Sequence, residues 1–171
     1  MADADVFGTT RVELINGRIY RIAPRRNPHM VAISKSTQAL SRAQGPNDWI
    51  IIQGTLQLDR FSAPDPDLLW LPVPIGTPEH EWPAPILLIE ISHTSYRKDS
   101  GIKLRKYAQS RIPDYWILNL AADRVEVYRD PLGGGRLSDC SYNSVSHFTR
   151  GKSISPLARP QVEFKVNDLL P

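Results

Sequence analysis

Three ionisable residues stand where their chemistry is conspicuous. Asp67 closes the stretch SAPDPD and opens the apolar run DLLWLPV. Glu90 lies inside a second apolar run, PILLIEIS, and Lys103 follows thirteen residues later in RKDSGIKLRKYAQS. A carboxylate inside an apolar strand is desolvated and costs several kcal/mol unless something compensates it. If the strands that carry Asp67 and Glu90 are neighbours, both acids point into one cleft at the end of a sheet. Two carboxylates suit a hard divalent cation such as Mg²⁺, whose other positions go to water and substrate phosphate. Such an ion activates water and offsets charge on a phosphoryl group, and a lysine beside it steadies the transition state. That is the chemistry of a metal-dependent phosphodiesterase. The plainer alternative is a salt bridge from Glu90 to Lys103 or Arg97. Asp65 competes with Asp67, because two residues apart in a strand share a face; Asp67 is preferred because it directly precedes LLWL.

The elements that must position these residues follow from pattern. RVELINGRIYRIA holds Asn16-Gly17 between apolar stretches, which predicts a hairpin over residues 11–23. NPHMVAISKSTQALSRA predicts a helix with Asn27 as cap, Pro28 at the first helical position, and Val31, Ala32, Leu40 and Ala43 on its apolar face. WIIIQGTLQLD and DLLWLPV read as strands, PVPIGTPEHEWPAP as a proline-rich loop, and PILLIEIS as a strand buried on both faces. RKDSGIKLRKYAQS reads as a helix that places Asp99, Lys103 and Tyr107 along one stripe at spacings of four, with Gly101 weakening its first turn. Asp99 is then set to aim Lys103, while Lys106 lies about 300° around the helix and faces elsewhere. DYWILNL and RVEVYRD form a second hairpin, PLGGGRL a turn, and RPQVEFKV an edge strand. Tyr107 and Trp116 read as core aromatics. The expected fold class is α/β: a mixed β-sheet with flanking helices and β-hairpins, in one domain spanning residues 1–171.

Composition narrows the function. A chain of 171 residues with 41% hydrophobic and 23% charged residues is ordinary for a soluble globular domain. No run of eighteen apolar residues occurs, so no membrane span is expected. The opening MADADVFGTT lacks a basic stretch followed by an apolar one, so no secretory leader is expected. Cys140 stands alone, which excludes an intrachain disulfide or a cysteine-rich zinc site, and a cytoplasmic protein is the simplest expectation. Net charge is only +3, but it is unevenly spread. Asp59 to Glu90 carries six acids and one base, whereas Arg97 to Lys106 carries five bases and one acid, and Arg11 to Arg26 five arginines and one acid. Basic segments flanking an acidic one suit a polyanion held near a divalent cation, or simply two solvated faces.

The joined motifs resemble the Uma-two family, whose members are labelled restriction endonucleases, within the PD-(D/E)xK nuclease superfamily. The resemblance runs through LLIEIS, TS, Asp99, Lys103, Tyr107, RIPDYWILNL and VEVYRDP, and extends to SAPDPDLLWL, VELINGRIY, NPHMVAI and the tail SISPLARPQVEFKVNDLL. It implies a restriction-endonuclease-like core in which Asp67, Glu90 and the carbonyl of Ile91 hold Mg²⁺ or Mn²⁺. The superfamily lysine lies two residues beyond the glutamate; that position is Ser92 here, and the resemblance moves the lysine to Lys103. Glu13 and His29 match positions the family also favours near the same cleft. Asp114 stands where the family has glutamate, His93 where it often has aspartate, and Arg111 where a glycine precedes the Ile-Pro turn. DNA is the implied partner and a homodimer the implied assembly, with no membrane and no organic cofactor. The alternatives are a DNA-binding or scaffold module that kept the fold without catalysis, and an interaction protein in which Asp67, Glu90 and Lys103 form an internal ion network.

Overall fold

In a computed structural model of the chain, the structure describes residues 10–22 and 27–171. The opening MADADVFGT, Ala23 at the end of the expected hairpin, and Arg25 and Arg26 of the first basic segment lie outside the described residues.

The six-stranded sheet runs β3-β4-β5-β6-β7-β8, formed by Trp49–Ile52, Leu68–Leu71, Leu87–Ser92, Asp114–Asn119, Arg124–Leu132 and Ser141–Thr149. Every pair is antiparallel except β5 with β6. A parallel pair requires a crossover, and the segment RKDSGIKLRKYAQS supplies it as α2 (Tyr96–Lys98), a π-helical stretch (Asp99–Lys103) and α3 (Leu104–Gln109). The sheet is mixed, as the sequence predicts.

All residues of β4, β5 and β6 are buried, because both sheet faces are covered. On one face Leu68, Trp70, Ile89 and Trp116 pack against Ala32 and Leu40 of α1 (Asn27–Ala43) and against Phe164, Leu169 and Leu170 near the C-terminus. On the other, Leu69, Leu88, Tyr115 and Ile117 pack against Tyr107 and Ala108 of α3. The first hairpin, β1 (Val12–Ile15) and β2 (Arg18–Arg21), is a separate two-stranded sheet. Its turn residues Asn16 and Gly17 both take positive φ, 51° and 76°, as a two-residue hairpin of this sequence requires. A bridge from Leu14 to Ala63 ties it to the chain just before β4.

Several expectations change in detail. Asn27 is the first helical residue rather than a cap, and Val31 faces solvent. WIIIQGTLQLD gives a strand only over β3, after which Gln53 turns with φ 57°. RPQVEFKV contributes two residues, β10 (Phe164–Lys165), paired with β9 (Ser153–Ile154) outside the main sheet. The edges of the main sheet are instead β3 and β8, and β8 carries no periodic signal because it is exposed on both faces over most of its length. Asp114 is structural: wholly buried, it accepts hydrogen bonds from Arg129 Nε (2.9 Å), Trp116 Nε1 (2.8 Å) and the Leu157 amide (2.7 Å). Among the described residues no helix is long and apolar enough to cross a membrane.

Candidate active site

The last paired residues of β4 and β5 are Leu68 and Ile89, so one further step of the antiparallel register sets Asp67 opposite Glu90. That register brings the two residues side by side, but Asp67 lies just outside β4 and turns its carboxylate toward the edge of β5. Asp67 is held from both sides: its carbonyl accepts from the Gln53 amide at 3.0 Å, and its Oδ2 accepts from the Ile91 amide at 2.8 Å. The carboxylate thus takes the place that a β4 carbonyl would have occupied. The amide and carbonyl of one extended residue face the same strand edge, so the Ile91 carbonyl opens into this gap as well. His29, in the first turn of α1, places Nε2 at 3.2 Å from Asp67 Oδ2. A carboxylate only accepts, so Nε2 carries the proton; Nδ1 is buried without a described partner.

Glu90 and Ser92 share the face covered by the crossover helix. Ser92 Oγ donates to Asp99 at 2.6 Å, and Ser95 Oγ does the same. Lys103 reaches back over the strand to Glu90 Oε1 at 2.5 Å and to Glu13 Oε2 at 3.1 Å, with the Asp65 carbonyl at 3.4 Å. Tyr107 donates its hydroxyl to Glu90 Oε1 at 2.7 Å. Glu13 arrives from β1, positioned by the bridge to Ala63 and by the Asp65 amide, which donates to Oε2 at 3.2 Å; its other oxygen pairs with Lys98. Asp65 turns its carboxylate away, to Arg11 (3.0 Å) and Thr55 (2.7 Å). Of the two candidate aspartates, the one facing β5 is Asp67.

Charge in this cluster is unbalanced. Four carboxylates (Glu13, Asp67, Glu90, Asp99) surround two ammonium groups, Lys98 and Lys103. Burial pushes the Glu90 carboxyl well above its usual range; Lys103 pulls the other way, while Asp99 and Asp67 add to the rise. Burial also raises Asp99. Burial works to lower the Lys103 ammonium, but Glu90, Glu13 and Asp99 overcome it and hold the proton more tightly than usual. Glu13 feels the same burial, and the two lysines outweigh it, so its carboxyl falls below the usual range. Among the described residues, Asp67 Oδ1 and Glu90 Oε2 accept no hydrogen bond, while the other oxygen of each is fixed by protein donors. Also among the described residues, no three His, Cys, Asp or Glu side chains form a ready cage for a metal. The donor set is sparser: two free carboxylate oxygens and a strand carbonyl, in a cluster with more carboxyl than ammonium groups. That is what a partly hydrated Mg²⁺ accepts.

A family model described as "Putative restriction endonuclease", Uma2, matches residues 7–167. The chain belongs to the Uma2 family. A crystal structure of a "putative nuclease belonging to DUF820" from Anabaena variabilis ATCC 29413 is similar in fold, with a TM-score of 0.64 at 17% identity, covering 92% of this chain and 88% of that one. No curated protein matches the chain. The structural likeness, at that identity, speaks for the fold; the family match covers nearly the whole length.

Within this Uma2 chain the structure brings together Asp67, Glu90, Ile91, Lys103, Glu13 and His29, with Asp99 and Ser92 one contact further out. Two neighbours escaped the sequence reading. Tyr107 is wholly buried as expected of a core aromatic, yet its hydroxyl is spent on Glu90. Lys98 sits in a run of basic residues that reads as solvated, and the geometry turns it onto Glu13. His93 is exposed, and Lys106 faces away to Asp59 and Gln109.

Proposed function

We propose that this protein is a cytoplasmic, divalent-metal-dependent endodeoxyribonuclease that hydrolyses DNA phosphodiester bonds with an activated water. One observation carries the reading: Asp67 and Glu90 lie opposite each other just past the β4–β5 pairing, each with one oxygen uncommitted, beside a buried lysine. The residues that would hold Mg²⁺ or Mn²⁺ are Asp67, Glu90 and the carbonyl of Ile91. When bound, such an ion lowers the pKa of a coordinated water and offsets charge on the phosphoryl group.

The chain's own residues prepare that chemistry. The Ile91 amide and His29 Nε2–H fix one oxygen of Asp67 and so orient the other. Tyr107 and Lys103 do the same for Glu90. Lys103 keeps its proton, because the acids around it hold the ammonium form; its part is therefore electrostatic and orienting rather than that of a general base. Asp99 and Ser92 brace the start of the crossover helix, and Glu13 neutralises the lysines from the opposite side. The whole chain, residues 1–171, is taken as one such domain, and a homodimer would let two sites address two strands.

A second reading, an internal ion network without catalysis, has one observation in its favour: all three N–H bonds of Lys103 already have acceptors. The excess of carboxylates over ammonium groups counts against it. Plasmid cleavage in Mg²⁺ or Mn²⁺ separates the two. The wild type is expected to nick the plasmid, and Asp67→Ala, Glu90→Ala and Lys103→Ala each to lose about 10²-fold or more. An inert wild type, or variants that cut equally well, would leave the ion network or a DNA-binding module.

A further inference from the structure

The lysine of the constellation has no hand free. An ammonium group offers three N–H bonds, and those of Lys103 face Glu90 Oε1, Glu13 Oε2 and the Asp65 carbonyl. Exposure deepens the point. The side chains of Glu13, Lys103 and Glu90 are 1%, 3% and 4% exposed, whereas Asp67 is 13%, His29 15% and Lys98 22% exposed. A phosphate arriving from solvent meets the second group first, and in that rim Lys98 is the permanent cation. Lys98 spends one contact on Glu13 Oε1 and has no other described acceptor, leaving donors for a ligand.

Backbone geometry explains how two lysines come to one carboxylate. Residues five apart in an α-helix lie about 140° around the axis, so Lys98 and Lys103 would face different sides. Here the intervening segment, Asp99–Lys103, is π-helical, with i→i+5 bonding that draws residues five apart toward one line. The result is that Lys98 takes Oε1 of Glu13 and Lys103 takes Oε2. Glu13 works as a shared counter-ion: it fixes the buried lysine and aims the rim lysine across the mouth of the cleft.

We propose that Lys98 is a substrate-contacting residue that binds a backbone phosphate of duplex DNA at the cleft mouth, while Lys103 acts from within on Glu90 and Glu13. This assignment rests on the nuclease reading and divides between two lysines the work assigned to one.

Binding of a short duplex oligonucleotide in Ca²⁺, followed by fluorescence anisotropy across a range of salt concentrations, tests it. Each phosphate contact contributes about 0.9 to the slope of log affinity against log salt. Lys98→Gln is expected to lower that slope by about one and to weaken binding at low salt, Lys98→Arg to restore most of it, and Lys165→Gln, on the exposed end of β10, to leave it unchanged. Mn²⁺ titration without DNA is expected to give Lys98→Gln an affinity within about twofold of wild type, a readout that a role exerted only through Glu13 would move. If the wild type binds duplex but the Lys98→Gln slope is unaltered, this inference fails alone. If Mn²⁺ affinity collapses in Lys98→Gln, Lys98 is a positioning residue and the inference also fails. A wild type that binds no duplex removes it together with the nuclease reading.

Discussion

Glu90 is the residue on which the site turns, and its proton is the quantity to follow. Burial raises its carboxyl well above the usual range, and its neighbours Asp99 and Asp67 push in the same direction. A metal ligand must be deprotonated, so protons compete with the cation for this oxygen. Two donors favour the ionised form: Lys103, and the hydroxyl of Tyr107 at 2.7 Å. Burial raises the Tyr107 hydroxyl far above its usual range too, so it remains a neutral donor at any working pH. Tyr107→Phe removes that donor and almost nothing else, because the ring keeps its edge-to-face contact with Tyr115, centroids 5.0 Å apart. The expected cost is about 1–2 kcal/mol of stability, measured by urea unfolding. The pH midpoint for Mn²⁺ binding, measured by titration calorimetry, is expected to move upward. A midpoint that stays where it is in the wild type would mean that Glu90 is not the titrating ligand.

The crossover from β5 to β6 shows best what the sequence can and cannot disclose at the level of elements. A helix there is legible, because Asp99, Lys103 and Tyr107 recur at helical spacing. Its π-helical stretch is not, since the same residues satisfy α and π patterns equally. Gly101 reads as a weak point at the start of the helix; in the structure it lies within the π segment, without a positive φ, and with nothing within 4 Å of where a Cβ would stand. Gly101→Ala therefore meets no steric objection and removes conformational freedom from the unfolded chain. An increase of about 0.5–1 kcal/mol, or about 2 °C in Tm, is expected by thermal unfolding with cleavage retained. A drop in Tm would show that the π segment depends on glycine after all. The rest follows the same logic. β5 is legible because the apolar run ILLI has few other uses, and Glu90 because it cuts that run short before Ile91. β8 is hidden because exposure on both faces erases alternation, and Lys98 because basic runs on helices are ordinarily solvated.

Across the whole molecule, the excess of buried carboxylate over ammonium makes stability itself a reporter of the site. Glu90 and Asp99 hold protons more tightly in the folded chain than in the unfolded one. Their contribution is therefore complete below the unfolded values, 4.5 and 3.8, and is lost as pH rises through the folded values. Glu13 runs the other way: its lowered carboxyl contributes above its unfolded value of 4.5 and loses that contribution as pH falls through the folded value. Because these trends oppose one another, the useful quantity is the difference between wild type and Glu90→Gln, which cancels the groups they share. In EDTA the two proteins are expected to differ least near pH 4.5, where Glu90 is protonated when folded, and to diverge above it. The variant gains relative to wild type as pH rises, since it never has to ionise in the core. A divalent cation reverses the order. Mg²⁺ at about a hundred times its Kd stabilises a protein that binds it only when folded by about 2.7 kcal/mol. The wild type is expected to show that rise, increasingly with pH, and Glu90→Gln to show much less of it. Profiles that diverge the other way in EDTA, the wild type gaining on Glu90→Gln as pH rises, with neither protein moved by Mg²⁺, would instead identify Asp67, Glu90 and Lys103 as a closed ion network that holds the hairpin, the strand ends and the crossover helix together.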